Sequence, residues 1–442
     1  MTSDASLLQE SPASPPKWTL AALFTIAYMG VVSGLQLSDL GLQAISLSAI
    51  QRSFGVGDAT VGLLQGLGNV LIGSVLAIPL ARLADRFSRK IVLICLVVVA
   101  TGLTVCSALA PNFPLFFLFR SAAGVTDFAM IPLVYSMIPD LAPERHRVAS
   151  NLSFAALMAV GASAGFYFSG DLIRVASALF SFDLEPWRKA FLLLACAGVP
   201  LILLGFLTKN PPRYMSSVNA QGTESLKAFF RENWRMIGLF VGTAGCLMIA
   251  VQAPNQLIAL ALERRFSEQV GVIGQAMGII VLCTSVGCLP VAGLLDKFLS
   301  RRLGRAARPV IMGAGALIAI PVIAMLSTST TIYPAFVVIG TFMFVTSTAN
   351  ALVPTMLQDL TTPALRARCF AIWSFVVSIF SAIGPLIAGS LSEWFLQHSL
   401  MTAIIITAVP GLFLSAFFAV RLFQQFRRAR LNISPDTLVD QV

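Results

Sequence analysis

Twelve apolar stretches, each about long enough to cross a bilayer, run through the 442 residues and constrain the fold more than any other feature. A spanning helix needs roughly 20 mostly apolar residues, because backbone groups in hydrocarbon must be satisfied within the segment. The stretches fall at 18–48, 59–80, 91–110, 114–138, 149–171, 190–207, 236–261, 271–294, 310–327, 334–357, 370–391 and 400–420, and are numbered here as spans 1 to 12. Composition agrees: 57% of residues are hydrophobic and 11% charged, against roughly 25% charged in soluble domains. The expected fold class is all-α and integral to the membrane. Span 1 exceeds the required length and is polar in its second half, so it tilts or protrudes. The first 16 residues are polar, hold no basic cluster and lead into a full-length span, so no cleaved signal peptide is expected.

An even number of spans puts both termini on one side. That side carries 23 of the 30 Lys and Arg residues, the opposite loops carry six, and Arg120 lies within a span. The positive-inside rule makes the first side cytoplasmic. The expectation is a multi-pass protein of the cell inner (plasma) membrane with both termini in the cytoplasm. The same asymmetry accounts for the net charge of +10 without a nucleic-acid partner. Trp18 and Trp234 fall at expected inner interfaces, and Trp187 and Trp394 at outer ones, as an aromatic belt requires.

The two histidines, His146 and His398, are too few and too far apart for metal or triad chemistry. The seven cysteines lie in apolar segments or at their ends and read as small packed hydrophobes. No H-E-x-x-H, G-x-S-x-G or G-x-x-x-x-G-K-[ST] occurs. The chain is therefore expected to be no enzyme, to use no metal or cofactor, and to act as a monomer. A secondary transporter is the leading reading. An integral-membrane lipid-modifying enzyme or a sensor is the alternative of a different class.

The chain repeats itself. A shift of 219 positions lays 140–172 over 359–391 without a gap, matching Asp140-Leu141 to Asp359-Leu360, Arg147 to Arg366, and Gly165 and Gly170 to Gly384 and Gly389. A looser match sets 81–90 against 292–302. The repeat predicts two pseudo-symmetric six-helix bundles, as in transporters built from parallel repeats. The expected organisation is an N-tail (1–17), a first bundle (18–207), a linker (208–235), a second bundle (236–422) and a C-tail (423–442). Residues Lys227 to Arg235 of the linker read as an amphipathic helix on the inner membrane surface.

Three groups of polar residues carry candidate function. The first is a buried charge cluster of Asp39 in span 1 with Arg120 and Asp127 in span 4. Ionisable residues inside a membrane are costly and face a cavity or a partner. Depth counted from the span ends, at about 1.5 Å per residue, puts Asp39 level with Arg120 and Asp127 about 10 Å deeper. Asp39 and Arg120 are expected to pair, leaving Asp127 as the carboxylate that carries a proton. A structural salt bridge is the bland alternative.

The second group is a polar cavity lining between the halves: Gln36, Tyr135, Gln252, Asn255, Gln256, Thr346, Asn350 and Trp373. Ordinary interhelical hydrogen bonding explains any one of them equally well. The third is an inner gate: Asp85, Arg86, Arg89 and Lys90 in the loop after span 2, with Asp296, Lys297 and Arg301 in the loop after span 8. Charge pairs there would hold the cytoplasmic side closed; a run that only sets topology is the alternative.

The stretch Ala81-Arg82-Leu83-Ala84-Asp85-Arg86-Phe87-Ser88-Arg89-Lys90 resembles the G-x-L-x-D-R-x-G-R-K signature of the major facilitator superfamily, with Ala81 and Ser88 in place of its glycines. Arg120 to Gly124 resembles that superfamily's R-x-x-x-G motif. The span 1 acid, the 81–90 loop, the span 4 Arg with an acid seven residues on and the PERHR stretch at 143–147 are similar to the Spinster-like group. Two departures stand out: Asp39 is followed by Leu40 where that group usually has Arg, and Asp127 stands where it usually has Glu. The resemblance implies the superfamily fold, alternating access and an amphipathic organic or lipid-like solute, while coupling to protons is expected from the spare carboxylate of Asp127. An uncoupled facilitator of a similar solute is the alternative.

Overall fold

The computed structural model describes residues 18–72, 87–210, 226–361 and 365–431. Every regular element among them is a helix. Span 1 is Leu20–Ile45, its start capped by the Thr19 hydroxyl, which accepts from the Ala22 N–H at 3.2 Å. The polar second half ends at Ser46, and a separate helix, Leu47–Phe54, follows and stops at Gly55 with φ of 64°. The long first stretch is thus two helices. Span 2 starts as Asp58–Leu63 and widens into the π-helical Leu64–Ile72.

Spans 3 to 6 are Arg89–Ala108, Phe113–Leu141, Glu144–Tyr167 and Pro186–Gly205, with Ser169–Leu179 attached after span 5. Spans 7 to 12 are Leu226–Phe266, Val270–Leu303, Ala307–Ala324, Ile332–Asn350, Arg366–Trp394 and Leu400–Leu431, with Val353–Leu360 following span 10. By length and hydropathy alone ten described stretches qualify as spans, one of them joining spans 8 and 9.

Two local expectations change. Lys227 to Arg235 is not a separate surface helix but the first turns of the 41-residue helix that becomes span 7. No Gly or Pro interrupts 226–237, so nothing breaks the hydrogen-bond ladder. Trp187 is not a belt residue. It is 2% exposed, packed edge-on against Phe54, Phe116 and Phe191, with its indole N–H donating to Glu185 at 2.8 Å.

Helix packing repeats with the sequence. Span 1 packs on 5 as 7 packs on 11, span 3 on 6 as 9 on 12, and span 2 on 4 as 8 on 10. The halves meet where span 2 lies on 11 and span 5 on 8, which is the exchange a two-fold axis would generate. Lipid gives no hydrophobic drive for this association, so close contact between small residues must supply it. Within the first half, a Cβ on Gly161 would sit 2.3 Å from the Gly34 Cα, and the Ser38 hydroxyl donates to the Gly161 carbonyl at 2.6 Å. Between the halves, a Cβ on Gly389 would sit 2.4 Å from the Asp58 carbonyl oxygen. The loops joining odd to even spans form one end, called the far end here. Both described chain ends lie at the other.

Candidate functional site

The interior of the first half holds a linked polar network. Arg120 is 1% exposed, and its Nη1 donates to Asp39 Oδ2 at 2.6 Å. Its Nε donates to Gln43 Oε1 at 2.5 Å, and its guanidinium lies 5.3 Å from the Phe191 ring centroid. Because Arg has donors only, Gln43 must turn its oxygen to Arg120 and its amide nitrogen away. That nitrogen donates to Gln65 Oε1 at 2.8 Å, and Gln65 in turn donates to the Gln256 carbonyl of span 7 at 3.5 Å. The chain therefore runs from the span 1 acid, through spans 4 and 2, into the second half. Thr104 also donates to Asp39 Oδ2, at 3.3 Å.

The other Asp39 oxygen and the Gln36 amide nitrogen are buried without a protein partner. Both residues line a cavity of about 30 Å³ among spans 1, 3, 4 and 6, enough for one or two waters. Asp127 lies seven residues beyond Arg120 on span 4, and its side chain is outside the described residues.

At the far end the two halves are bound together. Asp58 is buried and accepts from Arg264 Nη1 at 2.9 Å and Nη2 at 2.6 Å, from Ser392 at 2.6 Å, and from Gln51 at 3.0 Å. Arg264 Nη2 also donates to Gln51 Oε1 at 2.5 Å, and His398 Nδ1 is 3.8 Å from Asp58. Glu393 accepts from the Ala59 N–H at 2.7 Å, holding the start of span 2, and Ser48 donates to Glu263 at 2.7 Å. Burial alone would raise the Asp58 pKa. The hydrogen bonds from Arg264, Ser392 and Gln51, with the charge of Arg264, outweigh that and hold the carboxyl below its ordinary value. Asp58 precedes the apolar stretch 59–80, and Arg264 follows 236–261, so both sit at the aqueous edge. Deeper, Ser163 donates to the Gly278 carbonyl at 2.8 Å. Apart from Gln65 to the Gln256 carbonyl, the side-chain hydrogen bonds joining the halves among the described residues lie in this far-end portion.

The opposite end carries matched charge clusters, each inside its own half. Arg89 donates to Asp140 at 2.6 Å and to the Ser136 carbonyl at 2.9 Å, while Lys90 holds the Phe206 and Thr208 carbonyls at 2.7 Å. In the second half Arg308 bonds Asp359 and, at 3.2 Å, Asp296. Arg89 and Arg308 are 219 positions apart, as are Asp140 and Asp359. The partner of Arg89 under the two-fold is therefore Arg308, not Arg301 as the loop alignment implied. Lys297 and Arg301 are exposed and, among the described residues, in no ion pair. Asp85 and Arg86 lie outside the described residues.

The residues read as cavity lining divide. Tyr135 is exposed on the termini side and meets Phe154 edge-on at 5.3 Å. Trp373 is half-buried against Phe240, with ring centroids 4.8 Å apart. Gln252 accepts from Asn255 at 3.5 Å, and Asn255 Oδ1 is buried without a partner. Thr346 is wholly buried and bonds the Phe342 carbonyl of its own helix at 2.8 Å, so it lines nothing. Asn350 closes span 10, half-buried. Sequence reasoning missed Gln43, Gln65, Asp58 and Arg264. For Gln43 and Gln65 the signal was two amides in apolar segments. For Asp58 and Arg264 there was none, since each reads as a loop charge.

Long apolar helices in two related halves, closed on each other at one end around a buried ion pair, define a polytopic membrane protein. The model of the Major Facilitator Superfamily matches residues 29–354, and the chain belongs to that superfamily. Its relatives include protein spinster of Drosophila melanogaster, 23% identical over 396 residues that make up 85% of this chain and 62% of that protein. The 4-hydroxybenzoate transporter PcaK of Acinetobacter baylyi is 27% identical over 233 residues, 51% of this chain and 49% of that one. The matches thus span roughly half to two thirds of these relatives' length. The fold is similar to the crystal structure of a bacterial homolog of the human lysosomal transporter Spinster in an inward-facing, unoccupied conformation. That likeness has a TM-score of 0.77 and 20% identity, and covers 94% of this chain and 99% of that one.

Proposed function

We propose that the protein is a proton-coupled secondary transporter that moves a small amphipathic organic or lipid-like solute by alternating access. It would sit in the inner membrane with both termini cytoplasmic, as the distribution of Lys and Arg argues. The described far end, where the halves are bound together, is then the closed outer side.

The observation that carries this reading is the hydrogen-bonded chain from the Asp39–Arg120 pair through Gln43 and Gln65 to the span 7 backbone. A change of charge in the first half would alter bonding at the seam between the halves, which is what coupling requires. In this scheme Asp39 is occupied by Arg120, and Asp127 loads and releases the proton. Tyr135 and Trp373 offer apolar faces, and Gln252, Asn255 and Gln256 offer amides, a mixture suited to a solute with both characters.

Reconstituted protein supplied with a panel of amphipathic solutes under an imposed pH gradient tests the scheme. Gradient-driven accumulation is expected in the wild type and is lost in Asp127→Asn, while exchange survives. Accumulation that persists in Asp127→Asn rejects that carboxylate as carrier. Wild-type flux indifferent to the gradient selects the uncoupled facilitator.

A further inference from the structure

The second half contains a cavity of about 1070 Å³ at its termini-side end, at the upper limit of ordinary ligand pockets. Every described residue lining it comes from the helices of spans 7 to 12 or their connections, and none from the first half. The start of the span 7 helix, the turn between spans 8 and 9, the segment after span 10 and the end of span 12 all contribute to its walls.

Its charge is unbalanced. Arg302 and Arg305 line it from the 8–9 turn and Arg427 from span 12. All three are exposed and, among the described residues, none is in an ion pair. The carboxylate on the wall, Asp359, is already engaged by Arg308. Ring faces orient two of the guanidinium groups: Arg302 lies 6.0 Å from the Phe298 centroid and Arg427 5.8 Å from that of Phe423. Each guanidinium presents five N–H donors in a planar fork suited to phosphate oxygens.

Apart from Asn233, the rest of the wall is apolar. Met236 and Ile237 face it from span 7, and Phe423 and Phe426 from span 12. A bare inorganic anion would satisfy the arginines and leave this surface wet. A zwitterionic headgroup would bring a cation into a site that already has three. An anionic headgroup with its adjoining acyl chain meets both walls, and basic pockets between helix ends are known receptors for such lipids. Charges that only set topology need not converge on one cavity.

We propose that this cavity binds an anionic phospholipid, with the phosphate held by Arg302, Arg305 and Arg427 and the chain against Phe423, Phe426 and Ile237. The bound lipid would tie the span 7 helix, the 8–9 turn and span 12 into one body, beside the Asp296–Arg308–Asp359 cluster.

The test is thermal unfolding of delipidated full-length protein in detergent. Phosphatidylglycerol, phosphatidylcholine with the same chains, and inorganic phosphate are titrated separately, and native mass spectrometry counts retained lipid. The expected result is a rise in melting temperature and one tightly retained lipid with phosphatidylglycerol alone. The triple variant Arg302→Gln, Arg305→Gln, Arg427→Gln is expected to weaken that affinity at least tenfold. The control pair Lys297→Gln and Arg301→Gln, exposed but not lining the cavity, keeps it. An equal rise with phosphatidylcholine, an equal rise with phosphate, or an undiminished effect in the triple variant each overturns the proposal. If the triple variant does not fold, the three-ligand comparison on wild type and Arg427→Gln alone decides it.

Discussion

Replacing Asp58 with Asn should unlatch the far end. The carboxylate accepts two hydrogen bonds on each oxygen: Gln51 and Arg264 on one, Arg264 and Ser392 on the other. An amide keeps one oxygen as an acceptor and turns the other position into a donor, so two bonds are lost. At about 1.5 kcal/mol for a hydrogen bond to a charged group, the loss is about 3 kcal/mol. Arg264 and Ser392 belong to the other half and separate from Asp58 when the far end opens. The loss therefore falls on the closed conformation. About 3 kcal/mol is roughly a hundredfold shift in the equilibrium between the two conformations.

Spin labels at Arg52 and Gln269, exposed far-end positions on opposite halves, read this as a longer-distance population by pulsed electron resonance. Arg264→Gln should produce the same change. The pH dependence has a definite sign. The closed state holds Asp58 below its ordinary value of 3.8, so its ionised form favours closure above that value. The contribution is lost as pH falls through 3.8 toward the lower closed-state value. The contribution of Asp58 to the closed population should be flat from about pH 5 to 8 and fall only below about pH 4. An unchanged distance distribution in both variants, with folding intact, would refute the idea that this cluster latches the halves.

Asp39→Asn should impair both coupled and downhill flux and lower thermal stability by about 3–5 kcal/mol, because it strands a buried Arg120; wild-type melting would contradict this. Gln65→Leu removes the acceptor of the Gln43 amide, and at about 1–3 kcal/mol for an unsatisfied buried group should slow transport with only modest loss of stability, measured by flux and melting on the same preparation. Gly389→Ala crowds the Asp58 backbone across the seam and should shift the same label distances toward opening, whereas Gly161→Ala crowds span 1 within one half and should lower melting instead, each by about 1–3 kcal/mol.

Much of this protein was legible in the sequence because lipid is an exacting solvent. Span lengths, the excess of Lys and Arg on one side, and the 219-residue repeat each follow from one-dimensional rules about hydrocarbon thickness, loop charge and duplicated helices. The Asp39–Arg120 pair was legible too, since depth along two helices can be counted. Tertiary structure decided what depends on rotation and on the meeting of distant loops. The Arg89–Asp140 and Arg308–Asp359 pairs share the repeat's own offset, yet a loop of different length in the second half drew the alignment to Arg301. Trp187 stood where a belt residue would, and only the packing of Phe54 and Phe116 around it made it core. Gln43 and Gln65 became a relay because the hairpin of spans 1 and 2 brings two amides face to face. The far-end latch was invisible for the same reason. Asp58, Arg264 and Ser392 lie 206 and 334 positions from one another along hydrogen bonds that exist only after the halves have docked, and no local periodicity records how two rigid bodies are turned.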